Sequence, residues 1–359
     1  MPVALAFEAG CTSGCRPKWG VSSGGRLETA ALLTRPFDPS LISWFYDYGT
    51  NPRAFMWDTG WISPKEQGDE LLEFLNENHI EYVPHVSGRF FNPLPNEDDG
   101  GQGASCHLLT SLSPAEFQSR TPCTAQQIAE QLISLRSMLT APVRFLMSHN
   151  EPWFLNPGMS GAEAAEIWRI YLQPAAAIAN LSLISPTLQL NHAGWTRDFL
   201  KACYDRRFDS PPCDVETIFG FSVHQYQCKE SWWRGFVSGF RLNAVPPGLG
   251  DWTQYLQARR FWVTETNCNW EDDSMPDGTE QCHRASGGRP SSHGQGSLAT
   301  MNEIDEIAGY SWWTITNSYD QGSKQYNTRI ADLDGTLLAP GRALVSINGR
   351  DARFVDDPM

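Results

Sequence analysis

Short apolar or β-branched runs recur along the chain, and each ends in polar, aromatic or acidic residues. Eight of them read as strands: Lys18–Ser22, Trp44–Tyr48, Tyr82–Val86, Arg144–Ser148, Leu181–Ser185, Phe219–Val223, Phe261–Thr264 and Ile307–Trp312. Segments of helical period lie between them. Thr124 precedes Ile128, Leu132, Leu135 and Leu139. Ser160 and Glu163 form an S-x-x-E capping box ahead of Ala164, Ile167, Trp168, Tyr171 and Leu172. Strands that alternate with helices predict a parallel sheet with crossover connections. Eight strands close a barrel, so the expected fold is α/β, a single (β/α)8 TIM barrel. One catalytic domain is expected over 1–359, with the barrel proper over about 17–346. Three long stretches without clear period, Ser87–Cys123, Gln227–Gly250 and Thr266–Gly296, follow strands three, six and seven. In such a barrel they fall on the face that carries the active site.

Composition narrows the partners. A chain of 359 residues with 41% hydrophobic residues can bury a large core. The net charge of −14, without a basic run, argues against nucleic acid and anionic membranes as partners. Fourteen tryptophans exceed what packing usually requires and suit surfaces on which sugar rings stack. Nine cysteines lack a paired C-x-x-C framework for zinc and fit local disulfides in an oxidising compartment. Short spacing suggests Cys11 with Cys15, Cys106 with Cys123 and Cys203 with Cys213, and the odd count leaves one thiol over. Asn180-Leu181-Ser182 matches a glycosylation acceptor. The opening MPVALAFEAG lacks the basic and apolar regions of a leader or anchor. The expectation is therefore an extracellular or cell-wall-associated monomer whose leader is not in this chain.

Two acidic residues sit just past predicted strands. In VRFLMSHNEPW, the run Val143–Met147 delivers Asn150, Glu151 and Pro152 to the rim after strand four. In RRFWVTETNCNW, Phe261–Val263 delivers Glu265 after strand seven. A barrel brings the ends of distant strands around one cleft, so the two carboxyl groups can face each other. Glycoside hydrolysis needs such a pair, because a proton must reach the leaving oxygen while the oxocarbenium-like centre is captured from the opposite side. The acid must stay protonated near neutral pH and the nucleophile must stay ionised. Trp153 beside Glu151, and the polar Thr264, Thr266 and Asn267 around Glu265, fit that division.

The Asn-Glu-Pro after strand four, WVTE after strand seven, VHQY after strand six and YSWW in strand eight together resemble clan A glycoside hydrolases. More narrowly, the chain resembles the glycosyl hydrolase catalytic core of family 128, whose members act on β-1,3-glucan. The likeness runs from about Lys18 to the hairpin around Asp334 and includes Cys228 and Cys268. It implies Glu151 as acid/base and Glu265 as nucleophile, with Asn150 holding the sugar 2-hydroxyl. It further implies that Tyr226 donates to the nucleophile, His224 lines the same floor and Trp312 is the platform under the reacting sugar. His149, where an aromatic or apolar residue is expected, His85 and the NEDDGGQG loop depart from the family pattern.

Trp312 and Trp313 point to opposite faces of a strand, so one at most lines the cleft. Trp153, Trp195, Trp232, Trp233 and Trp270 fall on rim loops; Trp153, Trp195, Trp233 and Trp270 are the candidate sugar contacts. Two motifs read as decoys. Asp332-Leu333-Asp334-Gly335-Thr336 matches a phosphatase box but reads better as a hairpin turn at Asp334-Gly335. Gly20-Val21-Ser22-Ser23-Gly24 matches an esterase elbow but reads better as the end of the first strand. No histidine spacing suits a catalytic metal, and no cofactor is expected. The resulting expectation is a retaining endo-β-1,3-glucanase. The alternatives are action on another β-glucan or a mannan, exo action, and a non-catalytic barrel that only binds cell-wall polysaccharide.

Overall fold

The computed structural model describes residues 16–22, 39–46, 65–86, 88–92, 106–109, 119–154, 158–187, 192–205, 213–226, 230–266, 297–312 and 354–355. Eight strands within them form the main sheet: β1 (Trp19–Ser22), β2 (Trp44–Tyr46), β3 (Glu81–Tyr82), β4 (Phe145–Met147), β5 (Ser182–Ile184), β6 (Ile218–His224), β7 (Arg260–Thr266) and β8 (Ile307–Trp312). All neighbouring pairs are parallel, in the order β3-β2-β1-β8-β7-β6-β5-β4. The sheet curls shut where His85 bridges Met147, with Met147 N donating to Pro84 O and Val86 N to Met147 O. This is the (β/α)8 barrel expected from the strand count, and Gly20–Ser22 lies in its first strand rather than in an esterase elbow.

Alternation along the strands divides the apolar residues into two layers. Trp44, Tyr46, Val83, Phe145, Met147, Ile184 and Trp262 fill the lumen, while Trp19, Val21, Phe45, Leu146, Leu183, Phe221, Phe261, Tyr310 and Trp312 pack with the helices. Two indoles fit inside because small residues face them. A methyl group at Gly20 would lie 2.0 Å from the Trp44 ring, and one at Gly220 3.2 Å from Trp262.

Helices α1 (Lys65–Glu77), α2 (Ala125–Met138), α3 (Gly161–Ile167), α4 (Gln173–Ala179), α5 (Ala193–Tyr204), α6 (Glu230–Ala244), α7 (Asp251–Gln257) and α8 (Ser297–Glu303) lie between the strands. Thr124 caps α2 with a complete capping box through Gln127. The box expected at Ser160 forms only by half. Ser160 accepts from Glu163 N, but the Glu163 carboxylate turns away to Arg89, at 2.6 Å. A full positive charge draws it more strongly than a backbone amide. The periodic segment after Ser160 is not one α-helix, because Trp168–Leu172 is a π turn between α3 and α4. Pro174, at the start of α4, lacks an N–H and would crowd the carbonyl four residues back, and the wider turn absorbs this.

Two of the stretches expected to be irregular contain structure. Gln227–Gly250 holds α6, whose Trp233, Phe236, Val237, Phe240 and Ala244 are buried at helical spacing. Gly235 and Gly239 interrupt that period in the sequence and hide it. Ser87–Cys123 holds a hairpin of Arg89–Phe91 with His107–Leu109. Disulfides join Cys106 to Cys123 and Cys203 to Cys213, two of the pairings suggested by spacing. Cys11, Cys15, Cys228, Cys268, Cys282, the NEDDGGQG loop, the Asp332–Thr336 turn, Trp270 and Trp313 lie outside the described residues. No helix among the described residues is long and apolar enough to cross a membrane.

Candidate active site

Glu151 and Glu265 reach the same place by different local devices. Glu151 lies four residues past the last residue of β4 and has a backbone φ of 39°, a left-handed conformation rare for a residue with a side chain. Pro152 follows and starts a 3₁₀ turn, Pro152–Phe154, closed by Phe154 N donating to Glu151 O at 2.8 Å. Glu265 is still within β7. The register slips between Val263 and Glu265 against β6, and between Val263 and Thr266 against β8. Trp262 faces the lumen and Phe261 and Val263 the helices, so strict alternation would send position 265 outward. The bulge reverses the parity and turns the carboxylate into the barrel mouth.

His224, at the end of β6, joins the two. Its Nδ1 lies 2.8 Å from Glu151 Oε1 and its Nε2 3.2 Å from Glu265 Oε1. The second contact is electrostatic, being too bent for a hydrogen bond. With a carboxylate at each nitrogen, the ring is best satisfied when both nitrogens carry protons. Burial would lower its pKa, but the Glu265 charge and the Glu151 hydrogen bond and charge outweigh this and hold it above the ordinary value. Tyr226 donates a short hydrogen bond to Glu265 Oε2. Burial first, then the charges of Glu265 and Glu151, push its phenol well above the ordinary range, so it stays a donor.

The supporting layer is polar and buried. The buried hydroxyls of Thr187, just past β5, Ser222 of β6 and Thr264 of β7 form a row, at 3.1 and 2.9 Å. Tyr46 donates to Thr264 O at 2.7 Å, and Gln225 N donates to Glu265 O at 3.0 Å. His149, fully buried just before Asn150, accepts from Gly88 N through Nδ1 at 3.3 Å. Burial first, then the Arg89 charge, lowers its pKa to about 3, so this ring is neutral. Asn150 is half-buried beside Glu151. Among the described residues, no group of three His, Cys, Asp or Glu side chains could hold a metal ion.

The tryptophans divide. Trp153 is partly exposed, stacks on His192 at 4.3 Å and meets Trp195 edge-on at 6.0 Å. Trp195 is half-buried, donates to Met159 O and stacks on Phe199. Two expected sugar contacts are corrected. Trp233 is a 0% exposed core residue of α6, packed against Trp232 and Phe236, and not a rim residue. Trp312 is also 0% exposed and belongs to the layer against the helices, so it offers no platform. Phe154 and His192 were not singled out from the sequence. The signal was present for Phe154, as an aromatic residue three positions after Glu151.

The glycosyl hydrolase catalytic core family model matches residues 123–343, more than half of the chain and both glutamate-bearing strand ends. The chain belongs to this family. It is a glycoside hydrolase. Among the solved structures that share its fold are three β-1,3-glucanases. Two are subgroup II endo-beta-1,3-glucanases of family GH128. The Sorangium cellulosum protein is 19% identical at a TM-score of 0.54, over 92% of this chain and 98% of that one. The Pseudomonas viridiflava protein is 17% identical at 0.52, over 92% and 97%. The third, a subgroup VI exo-beta-1,3-glucanase from Aureobasidium namibiae, is 12% identical at 0.50, over 91% and 95%. No curated protein sequence matches the chain.

Proposed function

We propose that this glycoside hydrolase is a retaining endo-β-1,3-glucanase of family 128 that uses Glu151 as acid/base and Glu265 as nucleophile. The observation that carries the reading is the imidazole shared by the two glutamates. A single ring between two carboxylates brings both to one reacting centre, as hydrolysis by an acid and a nucleophile requires, and retention is supported by the resemblance to family 128. Tyr226 donates to Glu265 and favours its ionised form. Glu151, with 19% of its side chain exposed against 6% for Glu265, is the one open to exchange a proton.

In the first step, protonated Glu151 gives its proton to the glycosidic oxygen. A Glu265 oxygen bonds to the anomeric carbon as the carbon–oxygen bond to the leaving sugar breaks. In the second, Glu151, now a carboxylate, takes a proton from water as the water oxygen bonds to the anomeric carbon. The ester to Glu265 breaks, and both carboxyl groups return to their starting states. Asn150 is placed to hold the sugar 2-hydroxyl. The β-1,3 linkage and endo action are supported by the resemblance to family 128 and by the two fold-sharing subgroup II enzymes. The disulfides fit a secreted enzyme.

The test is reducing-sugar release from laminarin against cellulose and mannan, with product sizes and the anomer formed first read by NMR. Internal fragments of laminarin released initially as the β-anomer are expected. Preference for cellulose or mannan overturns the linkage, single-sugar products overturn endo action, and an α-anomer overturns retention. Binding of laminarin without hydrolysis leaves the non-catalytic barrel.

A further inference from the structure

Phe154 is the most exposed aromatic residue among the described residues, at 70%. Isolated exposed aromatics are ordinary, but this one has a particular address. Its N–H donates to Glu151 O at 2.8 Å, so one four-residue turn carries both the Phe154 ring and the Glu151 carboxylate. The turn is rigidly seated. Met159 N donates to Pro152 O at 2.9 Å, and Trp195 Nε1 donates to Met159 O at 2.8 Å. Gly161, where a methyl group would lie 2.5 Å from Phe199 N, lets α3 pack closely on α5. Trp153, 6.0 Å from Phe154, is backed by His192 and Trp195 at the start of α5, while the Phe154 ring stays open.

We propose that Phe154, braced by the Trp153–His192 stack, is the platform for the leaving-group sugar of the β-glucan. This rests on the proposed roles of the two glutamates. The acid must reach the oxygen that departs and the nucleophile the anomeric carbon, from opposite sides of the breaking bond. Aromatic surface grouped with Glu151 thus meets the part of the chain that leaves, whereas a platform for the retained sugar would stand with Glu265. Pyranose rings present a face of C–H groups, and an exposed aromatic face takes them with little ordering cost.

The experiment compares wild type with Phe154→Ala and Phe154→Trp on two substrates: laminarihexaose, whose leaving group is a saccharide, and β-laminaribiosyl fluoride. Its leaving atom is too small to reach a platform and needs no acid. Phe154→Ala is expected to lose roughly ten-fold in kcat/KM on laminarihexaose and to hold the fluoride rate within about two-fold. Phe154→Trp is expected to keep the oligosaccharide rate. An equal loss on both substrates, or none on laminarihexaose, overturns the proposal; an unchanged unfolding temperature confirms that Phe154→Ala still folds. If wild type cleaves neither substrate, the hydrolytic reading falls by itself. Calorimetric binding of laminarihexaose then decides the platform: weaker binding by Phe154→Ala supports it and equal binding overturns it.

Discussion

The ends of β4 and β7 each present a glutamate to one cleft, yet they are built in opposite ways. At β4 the strand has ended, and Glu151 stands on a left-handed residue before a 3₁₀ turn, partly open to solvent. At β7 the strand continues through Glu265, which is turned inward by a bulge and held by Tyr226 and His224. The difference matches the two tasks proposed. A nucleophile benefits from a fixed position and donors that keep it ionised, whereas an acid/base must take up and release a proton in each cycle and so needs access. His224 couples them, so the charge on one glutamate is felt by the other.

The sharpest way to break the comparison is to remove each carboxylate separately. Glu265→Gln and Glu151→Gln are each expected to lower kcat/KM on laminarin by at least about 10³-fold, measured by reducing-sugar release. On an aryl laminaribioside with a good leaving group, Glu151→Gln should recover most of the first step, whereas Glu265→Gln should not. Equal behaviour of the two variants on that substrate would erase the distinction between the strand ends.

The coupling can be tested next. His224→Gln keeps a donor but no charge and should cost about 10²-fold in kcat. His224 has a raised pKa, so its favourable charge is fully present below the ordinary histidine value and is lost as pH rises through the raised one. The wild-type alkaline limb should carry this titration, and His224→Gln should lack it in a pH–rate profile.

His149 behaves in the opposite sense. Its pKa falls to about 3, so between about 6.5 and 3 the unfolded chain binds a proton that the folded chain does not. Stability should therefore fall as pH falls across that window, by up to about 1.4 kcal/mol per pH unit from this group. Denaturant titrations should show a shallower slope for His149→Leu, and an unchanged slope would mean the ring is not held neutral. The smallest effect concerns the strained turn. Glu151→Ala and Glu151→Gly both lack the carboxylate, so their difference isolates the φ of 39°. The glycine variant should be more stable by about 1 kcal/mol in urea unfolding, and no difference would show that the turn relaxes.

The barrel was legible along the chain, because a period of two and a period of 3.6 leave a local trace and all eight apolar runs became its strands. The sequence also marked both glutamates, since strand ends are legible where an apolar run stops. It paired two disulfides correctly from spacing alone. It lost α6, where two glycines interrupt the helical period, and with it the fate of Trp233. It chose Trp312, although parity along β8 places that side chain toward the helices. Tertiary structure alone decided that a bulge turns Glu265 inward, that His224 sits between the glutamates, and that Phe154 stands open beside Glu151. The physical reason is the same in each case. Register, ring orientation and exposure depend on what neighbouring strands supply, and residues distant in sequence set them.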